Sequence, residues 1–236
     1  MDRQSKIPIS RLGELLFCEY KLYLRHHKKI KEKPTIQMIK GKVAHDKLHK
    51  ENKVKREVIK EAKKIYKDKV SEIKSKTIPT YAKKKLIRSL EKPPDDNIRR
   101  EFSVVGGRLR GRIDEIIFND NSVMIIDDKP HDKAYDTDKI QVWGYCYAYM
   151  QQFNKELNGR KLIASVRNWK TKDIVWNREY TKENEKAVLS SIKRIDGILD
   201  GSIKPIPTTD IRKCMNCNMR KKCDKKPRDA WGGLLV

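Results

Sequence analysis

Two apolar runs of this chain stop on acids. Asp114 lies in "GRIDEIIF" (111–118), and "SVMIIDDK" (122–129) closes on Asp127, Asp128 and Lys129. If the two runs pair as strands across the short "NDN" turn, the Asp114 and Asp127 carboxylates come to one end of a sheet. Lys129 follows Asp127 by two residues, so in extended chain it points to the same side. Hard carboxylate oxygens suit Mg²⁺ or Mn²⁺. A metal there would activate water and offset phosphate charge, while the ammonium steadies the attacked group; together this is chemistry for phosphodiester hydrolysis. "GKVAHDKLHKE" (41–51) adds an upstream imidazole, His45, with His49 four residues on. "QVWGYCY" (141–147) sets Gln141 and Tyr145 one helical turn apart on one face, where they could meet DNA or the site.

The five cysteines form a second pattern. Cys214, Cys217 and Cys223 make a C-x₂-C-x₅-C run, "CMNCNMRKKC". With no signal peptide in view, three reduced thiols at this spacing point to a metal rather than to disulfides. A fourth ligand could come from Cys146, set in an apolar helix, or from Cys18, in "FCEYKLYL" near the other terminus. A zinc ribbon draws ligands from two local pairs, which this chain lacks.

The elements that must hold these groups can be read in outline. Residues 9–27 have helical spacing with Ser10 as a candidate N-cap, and 36–51 read as a second helix. From 51 to 92 the chain is Lys-rich and broken at Pro79, giving two or so exposed helices. This stretch is either a solvated insertion or a basic wall beside a nucleic-acid channel. Three strands follow, then a buried helix over 138–153, two strands in "KLIASVRNW" and "DIVWNREY", and an amphipathic helix over 181–201 ending in glycine. The order predicts an α/β (α+β) core with a helical insertion.

Composition narrows the partners. The chain has 236 residues, with 56 Lys+Arg against 32 Asp+Glu, a formal charge of +24. The excess fits a polyanion, nucleic acid foremost, although a lysine-rich surface set by genome composition or a hot habitat gives the same sum. No run is apolar enough to span a membrane, and "MDRQSKIPIS" lacks a signal-peptide core, so the expected location is the cytoplasm with no membrane partner.

The pieces "GKVAH", "GRID", "IIDDK" and "QVWGY", in that order, resemble the RecB-like PD-(D/E)XK nucleases. Those show a Gly-x-x-x-His helix, a G-x-x-D strand, an apolar strand ending in (D/E)-x-K and a helix with Q-x-x-x-Y. The resemblance implies a restriction-endonuclease-like core with a central mixed sheet flanked by helices. It implies His45, Asp114 and Asp127 as metal ligands, with the Asp128 carbonyl as a fourth. Lys129 would be catalytic, and Gln141 and Tyr145 would support the site or bind DNA. Pro130 departs from the pattern, where many relatives carry a small polar residue and glycine.

The distant cysteine joined to a C-terminal triplet, together with "CEYKLYL", resembles the iron–sulfur branch of this group. By that likeness Cys18, Cys214, Cys217 and Cys223 hold a cluster, [4Fe–4S] ahead of [2Fe–2S], clasping the two ends of the domain. Over residues 9–50 and 100–224 the chain resembles the CRISPR-associated Cas-four exonuclease family. This implies one nuclease domain over 1–236, a basic helical insertion at 51–92 and a cysteine segment at 205–226 paired with Cys18. It implies a Mn²⁺- or Mg²⁺-dependent DNA exonuclease favouring single strands, 5′→3′, beside the CRISPR integrase, and leaves room for a homo-oligomer. The rivals are a viral or stand-alone recombination or repair nuclease of the same fold, a nucleic-acid-binding module without catalysis, and a zinc-stabilised adaptor.

Overall fold

The computed structural model describes residues 5–31, 34, 36–90 and 97–225. The chain divides into two compact units, Met1–Ile39 with Arg99–Val236, and Lys40–Ile98. In chain order the elements are β1 (Ile7–Pro8), α1 (Ser10–Phe17), α2 (Glu19–His26), α3 (Ile36–Ser75), α4 (Thr80–Ser89), β2 (Ile98–Gly106), β3 (Leu109–Phe118), β4 (Ser122–Lys129), α5 (Asp136–Leu157), β5 (Lys161–Asn168), β6 (Ile174–Glu179), α6 (Lys182–Asp200) and α7 (Ile211–Met215), followed by a 3₁₀ turn at Arg220–Lys222.

The larger unit is built on one mixed sheet of order β1-β3-β4-β5-β6, with β2 also paired to β3. β3 and β4 run antiparallel through a tight turn in which Asn119 N–H donates to Ser122 O at 2.8 Å. β4 and β5 run parallel, and α5 makes the crossover that a parallel pair requires. Alternation writes the core: Ile113 on β3 and Val123 and Ile125 on β4 are fully buried. Each such side chain contributes about 1.5–3 kcal/mol.

α5 is apolar nearly all round because it is covered on both sides, by β3, β4 and β5 and by α1 and α6. Its approach to the sheet depends on Gly106. A Cβ there would run into the Ala148 backbone of α5, which cannot move aside as a side chain end can. Gly106→Ala is expected to destabilise the fold by about 1–3 kcal/mol, read as a shifted midpoint in chemical denaturation. An unchanged midpoint would mean that α5 and β2 separate more easily than this packing implies.

Three readings of the sequence are amended. The helix expected over 9–27 is two helices, broken at Cys18, whose backbone is extended at φ −170° and ψ 116°. Groups freed at the break are taken up by the C-terminal segment: Lys213 Nζ donates to Leu16 O at 2.9 Å, and Thr208 N–H lies 3.5 Å from Cys18 Sγ. Ser10 is the first helical residue rather than the cap. Residues 36–51 are the start of one 40-residue helix, because no proline or helix stop intervenes before Pro79. In the smaller unit α4 follows that proline, and Lys83 Nζ donates back to Lys74 O at 2.7 Å.

A second, small core joins the two termini of the larger unit. Tyr20 and Leu24 of α2 bury against Met219, with Cys18, Cys217 and Cys223 packed around them. Tyr20 Oη donates to Asp224 at 2.6 Å, and Glu19 takes a bidentate pair from Arg194 and the Ile206 N–H. Among the described residues no helix is long and apolar enough to cross a membrane.

Candidate active site

The antiparallel register of β3 and β4 pairs Glu115 with Ile126, which places Asp114 beside the Asp127–Asp128 step. The Asp128 N–H donates to Asp114 Oδ2 at 2.7 Å and fixes that carboxylate. Because side chains alternate along a strand, Asp127 and Lys129 face one side and Asp128 the other. Lys129 Nζ lies 2.8 Å from Asp127 Oδ2. Gln141, on the first turns of α5, spans the pair: its amide nitrogen donates to Asp127 Oδ1 at 3.4 Å, and its oxygen accepts from Lys129 Nζ at 3.3 Å.

Tyr145, one turn further along α5, is buried, and a Cβ on Gly111 would meet its ring at 2.8 Å. Glycine in the "GRID" run is therefore the space into which Tyr145 fits. Burial first, then the Asp127 and Asp114 charges, push the phenol well above its ordinary range, so it stays protonated.

The electrostatics are those of a buried acid, Asp127, set beside a partly buried one, Asp114, and the Lys129 ammonium. Burial pushes the Asp127 carboxyl up to about 7; Lys129 pulls it down, and Asp114 adds to the rise. Burial works against the Lys129 ammonium, but Asp127, then Asp138 and Asp114, outweigh it and hold its pKa above the ordinary lysine value. A carboxylate that resists ionising beside a second acid is a site that gains from a cation. The donor chemistry therefore fits a hard divalent ion on Asp114 and Asp127.

The other acid of the step has a separate fate. Arg167 on β5 donates from Nε and Nη2 to both Asp128 oxygens at 2.7 and 3.0 Å, and from Nη1 to Glu115 at 2.6 Å. Arg100 on β2 closes the cluster on Glu115. The Asp128 carboxylate is thus committed on the far face, while its main-chain N–H stays with Asp114. His45 sits within α3, but its side chain lies outside the described residues, as does that of His49.

Two groups escaped the sequence reading. Asp138 is buried, accepts from the Tyr135 N–H at 2.8 Å and contributes charge to both Asp127 and Lys129. Its signal was present as an acid in the first helical turn. Arg112 stands two residues before Asp114 and so shares its face; the period-2 rule applied backwards from Asp114 finds it.

Cys18, Cys214, Cys217 and Cys223 line one pocket, edged by Lys21, Lys213, Arg220 and Lys225. Burial raises the Cys214 thiol, and Cys18, Cys217 and Cys223 raise it further. Among the described residues no group of three or more His, Cys, Asp or Glu is gathered to hold a metal ion. The sulfurs are neighbours around a shared space, and their chemistry suits a soft, cationic group there. Cys146 is buried in the main core, and burial lifts its thiol out of the reactive range.

Two acids and a lysine, delivered by adjacent strands and spanned by a helix glutamine, define a restriction-endonuclease-like site. Residues 7–224 match the model of the PD-(D/E)XK nuclease superfamily, and the chain belongs to that superfamily. Among solved structures, a chain from Eubacterium rectale named "Putative exonuclease" is similar at 12% identity and a TM-score of 0.48, with 94% of this chain and 90% of that chain covered. The structure of SSO0001 is similar at 14% identity and a TM-score of 0.40, covering 96% and 90%. No curated protein matches the sequence.

Proposed function

We propose that this protein is a divalent-metal-dependent DNA exonuclease. One observation carries the reading: Asp114 and Asp127 stand side by side on β3 and β4, with Lys129 Nζ 2.8 Å from Asp127 and Gln141 spanning Asp127 and Lys129. Mn²⁺ or Mg²⁺ bound there supplies Lewis acidity, lowering the pKa of water and offsetting phosphate charge.

The chain's own groups do the rest. Asp114 and Asp127 would hold the ion, with the Asp128 carbonyl beside them. Lys129 presents a buried, permanently charged ammonium to the phosphate undergoing attack. Gln141 keeps the Asp127 carboxylate and the Lys129 ammonium in register, so neither turns away when substrate enters. Tyr145 backs the site with a protonated phenol packed against Gly111.

Single-stranded DNA is the favoured substrate, 5′→3′ the favoured polarity, and CRISPR spacer processing beside the integrase the favoured setting. What supports these finer points is the likeness of motif order and cysteine spacing. We also read Cys18, Cys214, Cys217 and Cys223 as the ligands of an iron–sulfur cluster, [4Fe–4S] first, because four sulfurs from both termini line one basic-edged pocket. On this reading the whole chain is one nuclease domain carrying 51–92 as a basic insertion.

The test is incubation of anaerobically purified protein with end-labelled single-stranded DNA in Mn²⁺, Mg²⁺ or EDTA. Cleavage that stops in EDTA is expected, with products that shorten from one end. Binding without cleavage under every metal would replace this reading with a nucleic-acid-binding module.

A further inference from the structure

On β2, the strand paired to β3, lies a carboxylate whose placement the chemistry above does not use. Glu101 has a side chain only 4% exposed and a backbone in the left-handed region, φ 51°, within a strand. That conformation is unfavourable for any residue but glycine, and a buried carboxylate is unfavourable without a cation. Arg112 is one partner: its Nε lies 2.8 Å from Glu101 Oε2, and the arginine side chain is 56% exposed. The catalytic chemistry described above does not explain why the pair sits here.

Position does. Arg112 and Asp114 are two apart on β3 and face the same side, and the Tyr145 phenol feels the charges of Arg112, Asp114 and Asp127 together. The guanidinium therefore edges the carboxylate site. A phosphodiester approaching two carboxylates is repelled, and a fixed cation at the edge offsets this. A guanidinium paired with a carboxylate on one side has N–H groups left to meet a second oxyanion.

We propose that Arg112 is a phosphate-binding residue for the strand beside the scissile bond, and that Glu101 is the positioning residue that aims it. The proposal rests on the nuclease reading for its substrate, and its test separates the two. Fluorescent single-stranded DNA is titrated in EDTA over a range of NaCl, and steady-state cleavage is followed in Mn²⁺. Arg112→Ala is expected to weaken binding about tenfold, to reduce the slope of log affinity against log salt by about 0.7, and to raise KM more than it lowers kcat. Glu101→Met removes the acceptor at similar length and adds one net positive charge. Charge alone would tighten DNA binding; misaiming Arg112 weakens it. Glu101→Gln keeps an acceptor and should restore most of the affinity.

Tighter binding by Glu101→Met, or unchanged affinity and salt slope in Arg112→Ala, would overturn the assignment while leaving the nuclease standing. If Glu101→Met does not fold, Arg112→Ala decides alone. If the wild type binds but never cleaves and Arg112→Ala still loses affinity and slope, the phosphate contact holds and the nuclease falls. A wild type that neither binds nor cleaves sinks both.

Discussion

Asp127→Asn is expected to abolish cleavage and, in the same protein, to stabilise the metal-free fold above neutral pH. The two effects share a cause. Burial lifts the Asp127 carboxyl from its ordinary 3.8 to about 7. A group whose folded pKa is raised holds its proton more tightly in the fold, so stability is fully present below about pH 4 and is lost as pH rises through about 7. The lysine partner is already included in that balance and does not reverse it. Asparagine never ionises and escapes the loss. In EDTA at pH 8 the variant should be the more stable by roughly 1–3 kcal/mol, with the difference gone at pH 4. Turnover should fall by about 10³-fold or more.

Divalent metal should act in the opposite direction. Mn²⁺ should raise the melting temperature of the wild type and not that of Asp127→Asn, and its apparent affinity should weaken below about pH 7 as protons compete for the carboxylate. Melting curves with and without Mn²⁺ at both pH values would check this. A variant less stable than wild type in EDTA at pH 8 would mean that the Lys129 ion pair, not burial, governs the site.

The second large effect concerns the joint between the termini. Among the described residues its apolar core has three buried members, Tyr20, Leu24 and Met219, a small core for holding the C-terminal segment. If a cluster bridges the four cysteines, its loss removes the principal tie. Cys18→Ser should abolish bound iron, acid-labile sulfide and visible colour, and lower the melting temperature by about 10 °C or more. Cys146→Ala is the control. Its sulfur lies in the main core, so the colour should remain although packing suffers. Stoichiometric zinc in a colourless wild type would replace the cluster with a zinc site. Normal colour in Cys18→Ser would remove Cys18 from the ligand set.

Much of the candidate site could be read from the sequence because it obeys short-range rules. The run "IIDDK" stops an apolar strand, "NDN" turns the chain, and a spacing of two puts Asp127 and Lys129 on one side. Gln141 and Tyr145 follow from a spacing of four on a helix. What could not be read depends on contacts between distant segments or on backbone detail. β1 is two residues long and contains a proline, too short for any periodic signal, and exists because Ile7 and Pro8 lie alongside Leu109 and Arg110. The break at Cys18 carries no glycine or proline; its contacts come from Thr208 and Lys213, nearly two hundred positions away. The left-handed backbone of Glu101 is unsuited to its residue type, and no propensity rule would place it there.

The arginines behind the sheet bear on a choice that the doubled aspartate creates. Sliding β4 by one residue against its neighbours would turn Asp128 to the catalytic face and Asp127 to the back. An acid would still reach the site, so hydrophobic burial and metal affinity alone discriminate weakly between the two alignments. The slid strand, however, would take Asp128 from Arg167 and leave that guanidinium and the Glu115–Arg100 pair beside it incompletely satisfied, while Lys129 would swing away from the acids. The far-face cluster thus favours the observed alignment, in which Asp127 shares a face with Lys129 and the adjacent, chemically identical Asp128 is held by Arg167.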